Sequence, residues 1–210
     1  IDMPKHHVSG DVVDIALTTV KVQNFDKSIV SIPAYLLISQ AVINWRGMQQ
    51  AGARRVKRSF YIDMNSVKFC DAQTSLKFSK FSLIKNYIDD KQKEVTQYNE
   101  ENKVDTSELI NGRRLTNVGC LRAYIVEYLK SHPKIRQDMT LLVRHLEPTE
   151  HGLPIQLYVF SNDTNWINFE GIQSDIFDHI LAVIPEFDLR VYQRPSGSDL
   201  VGVANRGVAA

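Results

Sequence analysis

The chain has 210 residues, of which 43% are hydrophobic and 23% are charged, with a formal net charge of +1. This length suffices for one large or two small domains with a buried core, and the composition excludes a chain that is disordered throughout. The balanced charge argues against a dedicated nucleic-acid-binding protein, which is usually strongly basic. Two cysteines, Cys70 and Cys120, exclude a disulfide-rich scaffold and a four-cysteine zinc site, and we expect both to be buried as small apolar residues.

The ends of the sequence and its one uncharged stretch bear on membrane insertion. The first residue is isoleucine, no signal peptide precedes it, and we expect the chain to be a fragment of a longer protein. Residues 28–45 carry no charge but contain Pro33, Gln40, Asn44 and three serines. That stretch is too polar for the core of a bilayer, so no membrane span is predicted.

Short alternating runs near the N-terminus predict β-strands. Apolar and other residues alternate over residues 13–17, and after residues 18–19 the alternation changes parity, so that Val20 and Val22 carry the apolar side. Such a change of parity is typical of a bulge or a sharp bend. Residues 24–27 are expected to form a turn.

The next elements complete a small barrel. A strand over residues 29–32 ends at Pro33, residues 35–42 predict one or two helical turns, and residues 43–45 are extended. Alternation returns at residues 54–63, with one apolar face made of Val56, Phe60 and Ile62. Short twisted strands joined by tight turns predict a small Sm-like β-barrel, and we place this domain at residues 1–58.

The middle of the chain predicts two helices separated by a polar segment. Residues 75–90 have helical spacing, with a stripe formed by Leu76, Phe81, Ile84 and Ile88. Residues 85–112 are polar and acidic, and we expect a solvated helix end followed by a loop, inserted at the periphery. A clearer helix spans residues 114–131 and stops before Pro133, and its stripe is Val118, Leu121, Ile125 and Tyr128.

The last third predicts a hairpin, a helix and a final strand. Strands at residues 139–147 and 155–161 flank the hairpin loop, and Thr164 is the expected cap of a helix that Pro185 ends. Its apolar stripe is Ile172, Ile176, Ile180 and Val183. Phe187, Leu189 and Val191 alternate as a last strand. With the strand at Phe60, the order is β-α-β-β-α-β, which predicts an α+β chain with a ferredoxin-like α/β sandwich at residues 59–194. Residues 195–210 are small, polar and glycine-rich, and we expect a flexible tail.

Few residues suggest catalysis or metal binding. His6 and His7 are adjacent on a predicted strand and point to opposite faces, and His145 and His151 have no third ligand at a recognisable spacing. Cys70 has no local signature of a cysteine hydrolase. Asp175 and Asp178 share one side of a helix, as paired catalytic carboxylates can, but more simply cap or hydrate the helix start. No catalytic, cofactor-binding or metal-binding residue is therefore predicted.

A basic cluster is the one notable feature of the charge pattern; it consists of Arg46, Arg54, Arg55, Lys57 and Arg58. These cations are able to touch phosphates, line a vestibule, pair across a subunit interface or face water. Alternation along a strand places only part of the cluster on any one face.

The sequence of residues 1–33 carries a motif with the spacing Gly-x-Val-x-x-Ile-x-Leu followed by Thr-Thr-Val, an aspartate and Ile-Pro. The motif residues are Gly10, Val12, Ile15, Leu17, Thr18, Thr19, Val20, Asp26, Ile32 and Pro33. This pattern resembles the hallmark of the small-conductance mechanosensitive channel family. Many members have asparagine after the proline, whereas this chain has Ala34. A different residue at this position is similar to the miniconductance branch.

A second segment, residues 152–187, resembles the second domain of the same branch and contains Trp166 and Asp175. The resemblance implies a homo-heptameric channel of the bacterial inner membrane, opened by membrane stretch, with ions and small osmolytes as permeants. It implies that this chain is the wall of a cytoplasmic cage, joined to the membrane through helices that it lacks. No cofactor, catalytic residue or nucleic-acid partner follows from it.

Three alternatives stay open from the residues alone. Ile29, Val30, Ile32 and Leu36 fit a subunit interface and a core equally well. A nucleic-acid-binding module, which would use the small barrel and the ferredoxin-like sheet, requires exposed aromatic residues on a basic face, for which Tyr158 and Phe160 are the candidates. An enzyme built on the ferredoxin-like half has no supporting constellation.

Overall fold

The computed structural model describes residues 1–194, which form two compact units that divide after Arg54. The expected domain limits, 1–58 and 59–194, stay predictions, and the tail expected at residues 195–210 lies outside the described residues. Within residues 1–194, no helix combines the length and the hydropathy that a membrane span requires.

The first unit is a curled antiparallel sheet whose strands follow one another in chain order. The strands are β1 (Asp2–Met3), β2 (Val8–Ile15), β3 (Thr19–Asn24) and β4 (Ile29–Pro33). Two short helices follow, α1 (Leu36–Ser39) and α2 (Arg46–Ala51). Between them, Ile43 forms a bridge to Asp2, which ties the connecting segment to the start of the chain. The sequence did not predict α2.

The core of this unit lies on one face of the sheet and consists of Met3, Val8, Val20, Val22 and Ile32. The predicted apolar side of Val20 and Val22 is thereby confirmed. The sharp bend expected at the change of parity at residues 18–19 is confirmed, whereas a register irregularity of β2 lies at a different place. The irregularity lies between Val12 and Asp14, and residues 16–19 are the hairpin turn, where the Ala16 N–H donates to the Thr19 carbonyl at 2.8 Å. The apparent change of parity is therefore the chain reversing direction.

Gly10 occupies the point where β2 comes closest to β3. A Cβ at this position would lie 2.0 Å from the Gln23 carbonyl oxygen and 2.6 Å from the Asn24 Cα. The Gly10 N–H donates to the Ile1 carbonyl at 3.0 Å, and the Ile1 nitrogen donates back to the Gly10 carbonyl at 2.7 Å. Because the obstacle is backbone rather than a flexible side chain, only glycine fits without separating the strands.

The second unit packs helices and a three-stranded sheet around one core. The sheet has the order β5 (Arg54–Ile62), β7 (Leu153–Ser161), β6 (Leu142–His145), and β6 and β7 are antiparallel. The helices are α3 (Ala72–Phe78), α4 (Lys85–Glu101), α5 (Asn117–Ser131) and α6 (Trp166–Val183). The predicted stripes of α5 and α6 are confirmed at the buried residues Val118, Leu121, Ile125, Ile172, Ile176 and Ile180. These helix residues share one buried cluster with Val56, Phe60 and Ile62, which form the predicted apolar face of β5.

The helix expected over residues 75–90 is two helices. Asp71 caps α3 by accepting the Thr74 N–H at 2.7 Å, and the chain leaves the helix after Phe78. The rings of Phe78 and Phe81 lie 5.0 and 5.3 Å from the Phe187 ring, so a contact with a distant residue fixes the break. Leu76, expected in the buried stripe, is exposed.

The polar segment after this break is a helix followed by a loop, as expected, because α4 continues to Glu101 and turns and bends follow it up to residue 112. Pairs one turn apart support it: Lys91 with Glu94, and Gln97 with Glu101 at 2.8 Å. Beyond the helix, the Asn99 side chain accepts the Arg113 N–H at 2.9 Å and holds the returning chain. Within α4, all of which the structure describes, Ile88 is the one buried residue.

Two further expectations are corrected near the C-terminal end. Asn165, not Thr164, caps α6, because its side chain accepts the N–H groups of Ile167 and Asn168. The last strand is reduced to an isolated bridge between Val191 and Ile62. Residues Ile184–Phe187 form a 3₁₀ turn, and Asp188 with a φ of 55° interrupts extended backbone before the bridge.

We expect Gly10→Ala to lower the free energy of unfolding by about 2 kcal/mol or more, because the new methyl group must push β3 away. Gly47→Ala is the matched control, since a Cβ there meets nothing within 4 Å inside α2. It should be neutral or stabilise by about 0.5–1 kcal/mol. Chemical denaturation of both variants checks this, and equal effects at the two glycines would contradict the close approach.

We expect the chain to fold after replacement of residues 91–106 by a short Gly/Ser bridge, because that segment lies outside the buried core. The loss should be about 1–3 kcal/mol, as the helix pairs and the Asn99 contacts disappear. Ile88→Asp is the contrasting variant and should abolish cooperative unfolding by burying a charge. Thermal melts followed by circular dichroism decide, and a deletion variant without a cooperative transition would show that the segment is structural.

Candidate subunit interface

The outer half of β2 is an apolar strand edge. Among the described residues, β1 pairs with β2 only at residues 8–9, so residues 11–15 have a partner strand on one side, β3. This edge and its turn expose four apolar side chains, which are Val12 (39%), Val13 (53%), Ile15 (74%) and Leu17 (96%). An unpaired apolar edge is a ready surface for pairing with another chain.

The opposite side of the sheet has a second edge, formed by β4. Ile29 at its start is 61% exposed, whereas Ile32 is 3% exposed and belongs to the core. Val30 and Leu36 are partly buried against that core. The ambiguity left by the sequence is thus resolved residue by residue: Ile32 is a core residue and Ile29 is a surface residue.

The turn between β3 and β4 is organised by the hydrogen bonds of Asp26. Its carboxylate accepts the Ser28 N–H at 2.9 Å and the Ser28 hydroxyl at 2.6 Å, and these hydrogen bonds hold the pKa of Asp26 below its usual range. Lys27 takes a φ of 73° at the tightest point. The prediction of a turn at residues 24–27 is confirmed.

Asn24 connects this turn to the start of β2, a role that the sequence analysis missed. Its side-chain oxygen accepts the Ser9 N–H at 2.9 Å, and its side-chain nitrogen donates to the His7 carbonyl and the Ser28 hydroxyl, both at 3.1 Å. The signal available in the sequence was the Asn-x-Asp-x-Ser spacing, in which each polar side chain is able to bond backbone two or more residues away.

The remaining motif residues of the first unit close the other end of the same sheet. Thr19 pairs with Pro33, and the Ala34 N–H donates to the Thr18 carbonyl at 2.9 Å. Pro33 ends β4 without a donor of its own. The motif from Gly10 to Pro33 therefore specifies one small sheet, its two turns and its edges.

Trp166 and Asp175 belong to α6 in the second unit. The Trp166 indole donates to a Glu170 carboxylate oxygen at 3.2 Å, one turn along the helix. Asp175 is exposed and faces Tyr128 and His132. Burial lowers the pKa of His132, and the Asp175 charge opposes that shift. Both motif residues shape the surface of α6, and their assignment as family-motif residues stays a prediction.

The candidate chemical groups are dispersed. His6 is hydrogen-bonded to the Gln40 side chain at 2.6 Å, and His151 lies beside Tyr61 and Tyr192. No group of three potential metal ligands occurs among residues 1–194. Asp178, like Asp175, is exposed on α6.

Four members of the basic cluster lie on β5, where they are divided between its two faces, whereas Arg46 begins α2. Arg55 lies over the Tyr158 ring at 5.5 Å, and Arg58 lies over the Phe177 ring at 5.0 Å. Tyr158 and Phe160 contact each other edge to face and are half-buried, which reduces the area that bases would need for stacking. The cluster therefore covers aromatic rings rather than forming one continuous cationic row.

Comparison with known proteins connects this sheet to a family. The family model described as "Mechanosensitive ion channel, beta-domain" matches residues 1–47. The chain is 33% identical over 67 residues to the low conductance mechanosensitive channel YnaI of Escherichia coli (strain K12), a match that covers 32% of this chain and 20% of that protein.

Solved structures show the same fold over most of the chain. A cryo-EM structure of Arabidopsis thaliana MSL1 matches 90% of this chain and 50% of that one, with a TM-score of 0.55 and 13% identity. A second structure of the wild-type protein matches 89% of this chain and 48% of that one, with the same TM-score. The chain spans about half the length of these relatives.

The sequence match falls on the residues that build the first sheet, and the structural likeness extends over both units. Assignment to the miniconductance branch stays a prediction. Residues 1–47 are therefore similar to the β-domain of mechanosensitive ion channels, and the fold of most of the chain is similar to that of the MSL1 structures.

Proposed function

We propose that this chain forms the wall of the cytoplasmic cage of a mechanosensitive channel in the bacterial inner membrane. The parent protein opens under membrane tension and releases ions and small osmolytes during hypo-osmotic shock. The match of residues 1–47 to the channel β-domain carries this proposal. The 33% identity to a protein named as a mechanosensitive channel supports it. We propose no catalytic activity and no cofactor.

The finer fold is part of the proposal. An Sm-like barrel for the first unit is supported by the curl of its four strands, the irregularity at Val12 and the bridge from Asp2 to Ile43. A ferredoxin-like layout for the second unit is supported by the order β5-β7-β6, with the Val191 bridge next to Ile62 on β5. These pairings are those expected when a β-α-β-β-α-β chain places its last strand beside its first.

The two open edges of the first sheet are different surfaces, which favours a ring. A contact between the β2 edge of one copy and the β4 edge of the next is heterologous, and such a contact closes into a ring when its rotation divides a full turn. We propose seven copies, following the family resemblance. Burial of Ile15 and Leu17 in this contact would account for their exposure in the single chain.

The hydrogen bonds at Gly10 supply a route for gating. Tension must act differently on the closed and open states to shift their populations. A displacement of the backbone at Ile1 is passed to β2 through the paired bonds with Gly10 and from there to β3. In the parent protein we place the pore helix directly before this point.

The functional test uses the parent protein with its complete sequence in a strain that lacks other stretch channels. Patch-clamp recording should detect a conductance that opens under suction below the tension of membrane rupture. Expression should protect the cells from osmotic downshock. An absence of current up to rupture together with an absence of protection would contradict the proposed function.

Interface substitutions test the edge contact in the same parent protein. We expect Ile15→Glu and Leu17→Glu to prevent assembly, because each would bury a carboxylate in an apolar contact. Because Ile15 and Leu17 are exposed in the single chain, each substitution should change the free energy of unfolding by no more than about 0.5 kcal/mol. Ile110→Glu, at an 84% exposed position in the second unit, is the matched control. Size-exclusion chromatography with light scattering should show the ring for the control and smaller species for the two interface variants; intact rings in all three would rule out this edge.

A further inference from the structure

The backbone places two cysteines that are 50 positions apart in sequence next to each other. The Cys70 N–H donates to the Leu115 carbonyl at 2.8 Å, and Phe69 forms an isolated bridge with Thr116. The Asn117 side chain accepts the Lys68 N–H at 3.0 Å. These bonds hold the segment before α3 against the first turn of α5.

The two cysteines lie where these bonds join the two segments. Cys120 lies in the first turn of α5, where its N–H donates to the Thr116 carbonyl at 3.0 Å. Both cysteines are free and buried, with exposures of 8% for Cys70 and 1% for Cys120. Both side chains belong to the same buried cluster, and the pKa of each thiol depends on the other.

The two thiols have pKa values that are shifted in opposite directions. The interaction between the two side chains lowers the pKa of Cys70 and raises the pKa of Cys120. The Lys68 ammonium also lowers the pKa of Cys70, whereas burial and the carboxylates of Asp71 and Asp188 raise it. A thiolate, not a thiol, attacks an oxidant, so Cys70 is the expected nucleophile.

Cavities reach both residues from outside the core. Cys70 lines a groove of about 550 Å³ together with Asp71, Ser75 and Arg114. Cys120 lines a smaller cavity of about 180 Å³ beside Tyr87 and Gly119. A molecule as small as a hydroperoxide fits either space.

We propose that Cys70 and Cys120 are a redox-sensitive pair that a hydroperoxide converts into an intramolecular disulfide. The Cys70 thiolate attacks the peroxide, so that an S–O bond forms, the O–O bond breaks and the departing oxygen leaves as water or an alcohol after taking up a proton. The Cys120 sulfur then attacks the Cys70 sulfur of the sulfenic acid, an S–S bond replaces the S–O bond and water leaves. Two thiols are oxidised by two electrons and one peroxide is reduced.

The cross-link would fasten α3 and α4 to the start of α5, because the chain between the two cysteines contains both helices. In a reducing compartment the thiols stay reduced, and the disulfide would form only under oxidative stress. Closing a loop of this length should stabilise the second unit.

The test uses the 210-residue chain treated with hydrogen peroxide, denatured, alkylated with a maleimide and weighed by intact mass spectrometry. The wild type should lose both alkylatable thiols together, remain monomeric on a non-reducing gel, recover both thiols with dithiothreitol and melt several degrees higher when oxidised. In Cys120→Ser, Cys70 should instead stop at a sulfenic acid that a dimedone probe captures. Cys70→Ser should resist peroxide, because the remaining thiol of Cys120 is only 1% exposed.

Three outcomes would overturn the proposal. The first is that both thiols stay alkylatable at peroxide concentrations that oxidise free cysteine completely. The second is a loss of thiols that dithiothreitol does not reverse, and the third is a disulfide that joins two chains. Peptide mapping that fails to find the Cys70–Cys120 cross-link in an oxidised, monomeric sample would overturn it as well.

Discussion

The close approach of backbone at Gly10 is the constraint on which the first unit depends. With Gly10 against the Gln23 carbonyl and bonded twice to Ile1, the beginning of β2 is paired on both sides. The irregularity at Val12 then changes the course of the strand, and its outer half has only β3 as a partner within the described sheet. A tightly paired beginning and an open apolar end are therefore consequences of one short stretch of sequence.

The same arrangement links stability to assembly. Val20, Val22 and Ile32 supply a small core, which leaves little apolar surface to stabilise a four-stranded sheet alone. Exposed Ile15 and Leu17 would add to that stabilisation only when another copy covers them. In the proposed ring, this contact would supply stabilisation that the small core does not provide.

The sequence correctly predicted which side of an element is buried where the apolar residues follow the period of that element. The alternation at Val20 and Val22 and the stripe of α5 were correct because each residue's side of its element follows from backbone geometry alone. The helix break after Phe78 escaped prediction because it depends on the ring of Phe187, more than a hundred positions away. The contact of Cys70 with Cys120 escaped for the same reason, since no spacing in the sequence reveals which distant segments pair.

The residues of the candidate interface also fall into those that the sequence predicted and those that only the fold reveals. The turn at residues 24–27 was predictable because Asp26 bonds locally, to Ser28. Gly10 came from the family motif, and its physical reason, the close Gln23 carbonyl, is visible only in the fold. The proposed function came from the resemblance, because composition and spacing describe an ordinary α+β chain. Asn24 was missed, since it acts on Ser9 and His7 across the sheet.

The central claim is that identical copies of this chain surround one axis through the edges of their β-domains. Native mass spectrometry of the complete parent protein, released from detergent, measures the number of copies directly. The account predicts a single closed assembly of seven identical subunits. A monomer or dimer as the only species would contradict it.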